Sequence, residues 1–287
     1  MKVFYLDYNF YIYALSDPTI SHTINSCKKT VKFAYSPAHI EEVHKALVNK
    51  GESYSQTAKK ILESIAMTTN NLELLPSPAG IIYQKERPID CYRRVSGVDT
   101  TDRIETDSKR KFQSDADEYH RLLAEDKHYQ SISTFSPEKI WDYPIIKKAV
   151  ADLNRDMPQV VQRQNQSYDT FLCLLLGADK RLPIDLQFKQ NSFLDLKVSH
   201  TQLEFVMEVL FRILSYYGYN TDKSKSKAVS GTHDVTHAIY ATETDKFFTT
   251  DDRFAQRCRA VYSFLGVPTQ VVSCKPNQII TTLQNSI

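Results

Sequence analysis

Three short apolar runs each lead into an acidic residue, and a fourth acid opens a helix. Asp7 follows the run 3–6, Glu42 comes after the run 31–35, Asp251 follows 247–250, and Asp234 stands in the first turn of a helical stretch. Acids distant in sequence that follow strand-like runs can meet at one edge of a parallel sheet, where open α/β folds place their ligands. Crowded carboxylates raise one another's pKa, and a divalent cation relieves that conflict. Hard oxygen donors suit magnesium or manganese (Mg2+ or Mn2+). Such a site supports phosphodiester hydrolysis: one ion lowers the pKa of a bound water, and a second, about 3.5–4 Å away, stabilises the leaving 3′-oxygen. Asp7, Glu42, Asp234 and Asp251 are therefore the candidate catalytic and metal-binding residues.

Each acid also has an ordinary explanation. Asp7 at the end of a hydrophobic strand could start a turn. Glu41, Glu42 and Asp234 lie early in helices, where the helix dipole favours acids. Asp251 and Asp252 together resemble an N-cap. One of that pair is expected to cap and the other to bind metal; the metal is assigned to Asp251, with Asp252 as the alternative ligand, and Glu41 is expected to point elsewhere. His233 and His237 read as packed or hydrogen-bonded helix residues, with contact from His237 to a substrate phosphate as the lesser reading. Lys223, Lys225 and Lys227 form a basic loop shortly before Asp234, an ordinary solvated loop or a phosphate-steering one. Helical spacing scatters Arg253, Arg257 and Arg259, so one or two at most face a cleft, and Arg253 is the nucleic-acid-binding candidate. Most of the 17 tyrosines are expected in the core or at its boundary rather than stacked on bases.

The elements that must position these residues follow from periodicity and punctuation. Strands are expected at 2–6, 31–35, 72–75, 246–249 and 269–273, where β-branched and aromatic residues dominate. Ser36-Pro37 starts a helix carrying Ile40, Val43 and Leu47 on one face, which Gly51 stops. Further helices are expected at 54–67, 201–217, 233–242 (capped by Thr232) and 252–265. Between them, residues 79–196 read as a mostly helical, charge-rich insertion. It includes the charged segment 99–126, a helix begun by Ser136-Pro137 carrying Ile140, Trp141 and Ile145, and an apolar patch at 168–176 ended by Gly177. Strands alternating with helices predict an α/β fold, a three-layer α/β/α arrangement with a central parallel sheet. Its domain would be discontinuous, 1–78 and 197–287, interrupted by the insertion.

Composition sets outer limits. With 41% hydrophobic and 24% charged residues among 287, the chain can bury a sizeable core. A net charge of +2 provides no global field for nucleic acid, so any such binding depends on local patches. Five scattered cysteines without a C-x-x-C pair argue against a disulfide framework or a zinc site and for a reducing compartment. The apolar stretch 1–15 is interrupted by Asp7 and Asn9, which argues against a signal peptide. No run reaches membrane-spanning length, and a cytoplasmic location is expected.

The residues also carry a family resemblance. Tyr5-Leu6-Asp7-Tyr8-Asn9 resembles the opening motif of PIN-domain nucleases. Ser36-Pro37-Ala38-His39-Ile40-Glu41-Glu42 is similar to their second motif, His233-Asp234-Val235-Thr236-His237 to their third, and Thr249-Thr250-Asp251-Asp252-Arg253-Phe254 to their fourth. The resemblance covers about the first 80 and last 90 residues of the chain. It implies a PIN-like fold and a metal-dependent endoribonuclease, with Asp7, Glu42, Asp234 and Asp251 as ligands and Asn9 and Thr249 shaping the pocket. Implied partners are RNA (single-stranded or structured, tRNA included) and a regulatory protein or antitoxin; a homo-oligomer is compatible. Two departures stand out: Tyr8 replaces a small hydroxylic residue, and the gap from Glu42 to Asp234 is far longer than in compact members. Two other readings compete. A haloacid-dehalogenase-like phosphatase also begins with a strand and an aspartate, but it normally has a second acid where this chain has Asn9. A non-catalytic PIN-like interaction module would keep the sheet and bind a partner through the insertion.

Overall fold

Alternation along short strands decides the architecture. In β1 (Val3–Leu6), Phe4 and Leu6 enter one core while Tyr5 enters another. The same split separates Phe33 from Ala34 in β2 (Lys32–Ala34), and Phe248 from Phe247 in β5 (Lys246–Thr249). A sheet apolar on both faces must be covered on both. The computed structural model, which describes residues 1–96, 132, 134–166, 181–221 and 231–287 (backbone alone for 231–233), has that arrangement. The strand order is β2-β1-β5-β6, with β6 at Gln270–Ser273, and every neighbouring pair is parallel. Tyr5 lies level with Ala34 on one side and Phe247 on the other.

One face carries α1 (Tyr8–Ser16), α2 (Pro18–Cys27), α3 (Pro37–Lys50) and α4 (Ser55–Thr69), which bury Phe10, Ile24, Ile40 and Ile61 against Phe4 and Phe248. Ser36 and Pro37 begin α3 as expected, and Gly51, at φ +69°, ends it by donating its N–H to Leu47 O.

After β3 (Leu72–Ser77) the chain forms a strand that periodicity did not reveal. β4 (Gly80–Lys85) pairs antiparallel with β3. Its pattern is weak because Ile82 and Tyr83 are exposed and only Ile81 enters the core. Gly80 sits at φ +102°, and a Cβ there would meet Lys197 O at 2.0 Å. Next, α5 (Pro88–Ser96) packs on α3 and α4.

The following long helix, α6 (Pro144–Gln166), begins later than Ser136-Pro137 predicts. Tyr143 precedes a proline and is held extended, at ψ 126°, so a helix begun at Pro137 cannot run through it. Ile140 and Trp141 instead occupy a short 3-10 turn. Then come α7 (Phe193–Leu196), α8 (His200–Tyr216), α9 (Gly231–Ala241), α10 (Asp252–Leu265) after β5, and α11 (Ile279–Gln284) after β6. The backbone of α9 starts at Gly231, so Thr232 lies within its first turn rather than at its cap.

Leu210 of α8, Ala238 of α9 and Phe254 of α10 cover the second face of the sheet. Trp141, Ile146 and Met157 from the predicted insertion share that core. Among the described residues, no helix is long and apolar enough to cross a membrane, and Cys27, Cys91, Cys258 and Cys274 are buried and unpaired. The 99–126 segment, the 168–176 patch with Gly177, Cys173, and the loop with Lys223, Lys225 and Lys227 lie outside the described residues.

Candidate metal centre

The chain leaves β1 and β5 toward opposite faces. α1 packs with the Phe4 core and α10 with the Tyr5 core, so the C-terminal ends of these adjacent strands open into a crevice. Asp7, the residue after β1, sits at its floor and donates its N–H to Phe248 O at 2.8 Å. A cleft of about 820 Å³ opens there. Its walls include Asp7, Tyr8, Asn9, Glu42, Asp234, Asp251, Asp252 and Arg253. All four acids predicted from sequence therefore line one cavity, brought there by four separate elements, and Asn9 and Arg253 line it too. Glu41 is not in its wall and lies toward Tyr240.

Thr249 ties two of these positions together. Its hydroxyl donates to Asp7 Oδ2 at 2.8 Å and accepts the Asp251 N–H at 3.1 Å. Of the Asp251–Asp252 pair, Asp251 is the helix cap: its Oδ1 accepts Phe254 N–H at 3.0 Å. The sequence expectation gave the cap and the metal to different residues, with the metal on Asp251. The cap falls on Asp251 instead, because its carboxylate is the one that reaches the free N–H of the first turn, which leaves Asp251 only its second oxygen for a cation. Asp252 Oδ1 accepts a hydrogen bond from Ser273 Oγ at 2.8 Å, which anchors it to β6.

The electrostatics are those of crowded, poorly solvated acids. Burial raises the Asp7 carboxyl above the ordinary range; His237 and the Thr249 hydroxyl oppose this, and Glu42 reinforces it. Burial pushes Glu42 up to about 8, with Lys45 opposing. Asp234 is raised well above the usual carboxylate range, first by burial; the Arg257 guanidinium opposes this, while Asp7, Glu42 and Asp251 reinforce it. Arg259, by contrast, is occupied with Val271 O and Ser273 Oγ.

The test of fit for a cation is whether these oxygens have other partners. Glu42 Oε2 is buried without a hydrogen bond. His237 Nε2 stands 3.6 Å away, on an imidazole that burial lowers to about 4, so it is neutral at physiological pH. A buried carboxylate oxygen without a hydrogen bond, beside three further acids in one cleft, fits magnesium or manganese.

The cleft acids are set apart, however, rather than closed into a cage. Among the described residues, the group whose ligand atoms all lie within 4.8 Å of one another is Glu73, Glu86 and Cys91. That group already has its cation: Arg94 Nη2 donates to Glu73 Oε1 and Glu86 Oε2, both at 2.7 Å.

Sequence reasoning missed two features. Lys45, Asn49 and Lys50 of α3 line the cleft beside Glu42. Lys45 and Asn49 share its helical face, a spacing that could have flagged them. The second is the contact of Tyr5 with Ser36, His39 and His237, buried behind the acids; His237 itself is packed and hydrogen-bonded, as its sequence context predicts. No family model, curated protein or solved structure matches the chain.

Proposed function

We propose that this protein is a divalent-metal-dependent nuclease of PIN-like fold that hydrolyses RNA phosphodiester bonds. The observation that carries the reading is the convergence of Asp7, Glu42, Asp234 and Asp251 on one cleft, three of them held above the usual carboxylate pKa range. Asp7, Glu42 and Asp234, with the oxygen of Asp251 not committed to its cap, would hold the ions. When bound, magnesium or manganese supplies a water nucleophile at neutral pH and charge stabilisation for the leaving oxygen.

The chain's own residues do the rest. Thr249 fixes Asp7 relative to the Asp251 turn. Lys45, Lys50 and Arg253 line the same cleft as the acids, where they would hold the phosphate backbone and impose salt dependence on binding. RNA rather than DNA follows from the PIN resemblance, as does control by a regulatory protein or antitoxin.

The test is cleavage of labelled RNA by purified protein with magnesium or manganese. Cutting should stop with EDTA and be absent from Asp7→Asn and Asp234→Asn, which remove an ionisable oxygen and keep side-chain size. Undiminished cutting by both variants would end the proposal.

A further inference from the structure

Behind the cleft lies a buried polar network that the reading so far leaves without a task. Tyr5, Ser36, His39 and His237 are each 0–1% exposed. The Tyr5 hydroxyl is 2.6 Å from Ser36 Oγ, 2.8 Å from His237 Nδ1 and 3.3 Å from His39 Nδ1. Ser36 N–H donates to His39 Nδ1 at 3.1 Å, so His39 carries its proton on Nε2 and donates it to Leu6 O at 2.8 Å.

With His39 Nδ1 already accepting, the Tyr5 proton has two takers, Ser36 Oγ and His237 Nδ1. The choice sets the tautomer of His237. If Tyr5 donates to Ser36, His237 must donate from Nδ1, and its Nε2 lone pair then faces Glu42 Oε2. With Glu42 ionised, as a cation ligand must be, two acceptors would then oppose each other at 3.6 Å. If Ser36 donates to Tyr5 and Tyr5 to His237 Nδ1, the imidazole proton sits on Nε2 and faces Glu42 instead.

Those two atoms, His237 Nε2 and Glu42 Oε2, are both buried and both lack a hydrogen-bond partner. Native interiors rarely leave such groups unmatched. Their separation exceeds an ordinary N–H···O bond by about 0.7 Å, so a hydrogen bond between them requires the Glu42 carboxylate to move toward the imidazole.

We propose that His237, held in its Nε2–H form by the Tyr5 hydroxyl, is a positioning residue that donates to Glu42 and fixes its carboxylate toward the cation. This rests on the reading of Glu42 as a ligand. It assigns to the buried network the role that outer-shell partners play at metal centres: they set ligand orientation, and their loss weakens metal binding by about 10–100-fold. A purely structural imidazole would leave Mn2+ affinity indifferent to its replacement by any residue that packs.

The test uses the full-length protein and two readouts. The first is the tautomer of His237, read from ring 15N shifts in histidine-labelled protein with EDTA and again with Mg2+. The second is Mn2+ affinity, by calorimetry or electron paramagnetic resonance, for wild type, Tyr5→Phe, His237→Leu, His237→Gln and Asp7→Asn.

The expected results are an Nε2–H tautomer, a loss of Mn2+ affinity of about 10–100-fold in His237→Leu, and recovery of most of it in His237→Gln, whose amide N–H can reach Glu42. Tyr5→Phe should lose affinity in the same direction, together with the fixed tautomer. An Nδ1–H tautomer in Mg2+-loaded wild type overturns the proposal. So does wild-type Mn2+ affinity in His237→Leu while Asp7→Asn has lost it, in which case the metal reading stands. No Mn2+ binding by wild type, or unchanged binding by Asp7→Asn, refutes the metal reading and this inference with it. If His237→Leu does not fold, the tautomer and His237→Gln decide.

Discussion

Replacing Glu42 with glutamine should stabilise the metal-free protein at alkaline pH and abolish its response to metal. Burial moves the Glu42 pKa from 4.5 in the unfolded chain to about 8 in the fold. The folded state therefore binds the proton more tightly, and stability falls as pH rises from the lower value to the higher. One pKa unit corresponds to about 1.4 kcal/mol, so full ionisation costs at most about 5 kcal/mol. The side chain keeps 22% of its surface exposed, and solvent screening brings the working figure to about 3–4 kcal/mol. His237 does not compensate, because its own pKa is lowered to about 4.

Glutamine has no charge to desolvate, although its buried amide loses about 1–3 kcal/mol where it lacks partners. Urea denaturation in EDTA should then show Glu42→Gln equal to or slightly less stable than wild type at pH 5. At pH 9 it should be more stable by about 2 kcal/mol. Neutralising Glu42 also lowers Asp7 and Asp234, since it raises both, and this adds in the same direction. Magnesium at about 100 times its Kd should stabilise wild type by about 2.7 kcal/mol and leave the variant unmoved. A stability difference that stays constant from pH 5 to pH 9 would refute the reasoning.

Two further outcomes can be checked by the same denaturation measurements. Thr249→Val keeps the shape of the residue but leaves Asp7 Oδ2 and the Asp251 N–H without the hydroxyl they share. The expected loss is about 1–3 kcal/mol, and a change under 0.5 kcal/mol would contradict the bridging role. Arg94→Met strands the fully buried Glu73 beside Glu86. Breaking such a pair costs about 3–5 kcal/mol, toward the lower end here because Arg94 is 41% exposed. Adding Glu73→Gln should restore part of that loss, and a double variant no more stable than Arg94→Met would count against Arg94 as the resident cation.

The sheet was readable because its strands are doubly buried. A run such as Val3-Phe4-Tyr5-Leu6 has no polar position to confuse with a helix face, and β5 matches its predicted limits residue for residue. The candidate site was readable for a related reason: Asp7 and Asp251 come just after strands and Glu42 and Asp234 lie early in helices, so placing the element places the acid. β4 was lost because half of it faces solvent, which dilutes the apolar signal. The start of α6 was misread because Ser136-Pro137 and Tyr143-Pro144 both look like openings. Only the extended Tyr143 backbone distinguishes them. Of the network behind Glu42, the sequence marked His237 as a packed, hydrogen-bonded residue but not the partners it meets. Tyr5 and His237 belong to opposite ends of the chain, and Tyr5 reads as another apolar strand residue until its hydroxyl is seen beside two imidazoles.

The two acidic clusters of this molecule are handled in opposite ways, and the contrast bears on function. Around Glu73 the fold supplies a guanidinium, an amide from Gln84 and a thiol from Cys91, so the buried charge is matched from within. Around Glu42 and Asp7 the fold places a threonine hydroxyl on Asp7 and an imidazole 3.6 Å from Glu42 Oε2, while Lys45, Lys50 and Arg253 line the same cleft. Burial raises Glu73 too, to about 7, but both of its oxygens have partners; Glu42, raised to about 8, keeps an oxygen without one, at a cost to stability. Uncompensated charge of that kind is destabilising in the empty protein and is offset when a cation enters. Stability held below what the same fold could reach, and concentrated at one open cleft, argues for a site kept for a ligand rather than for packing.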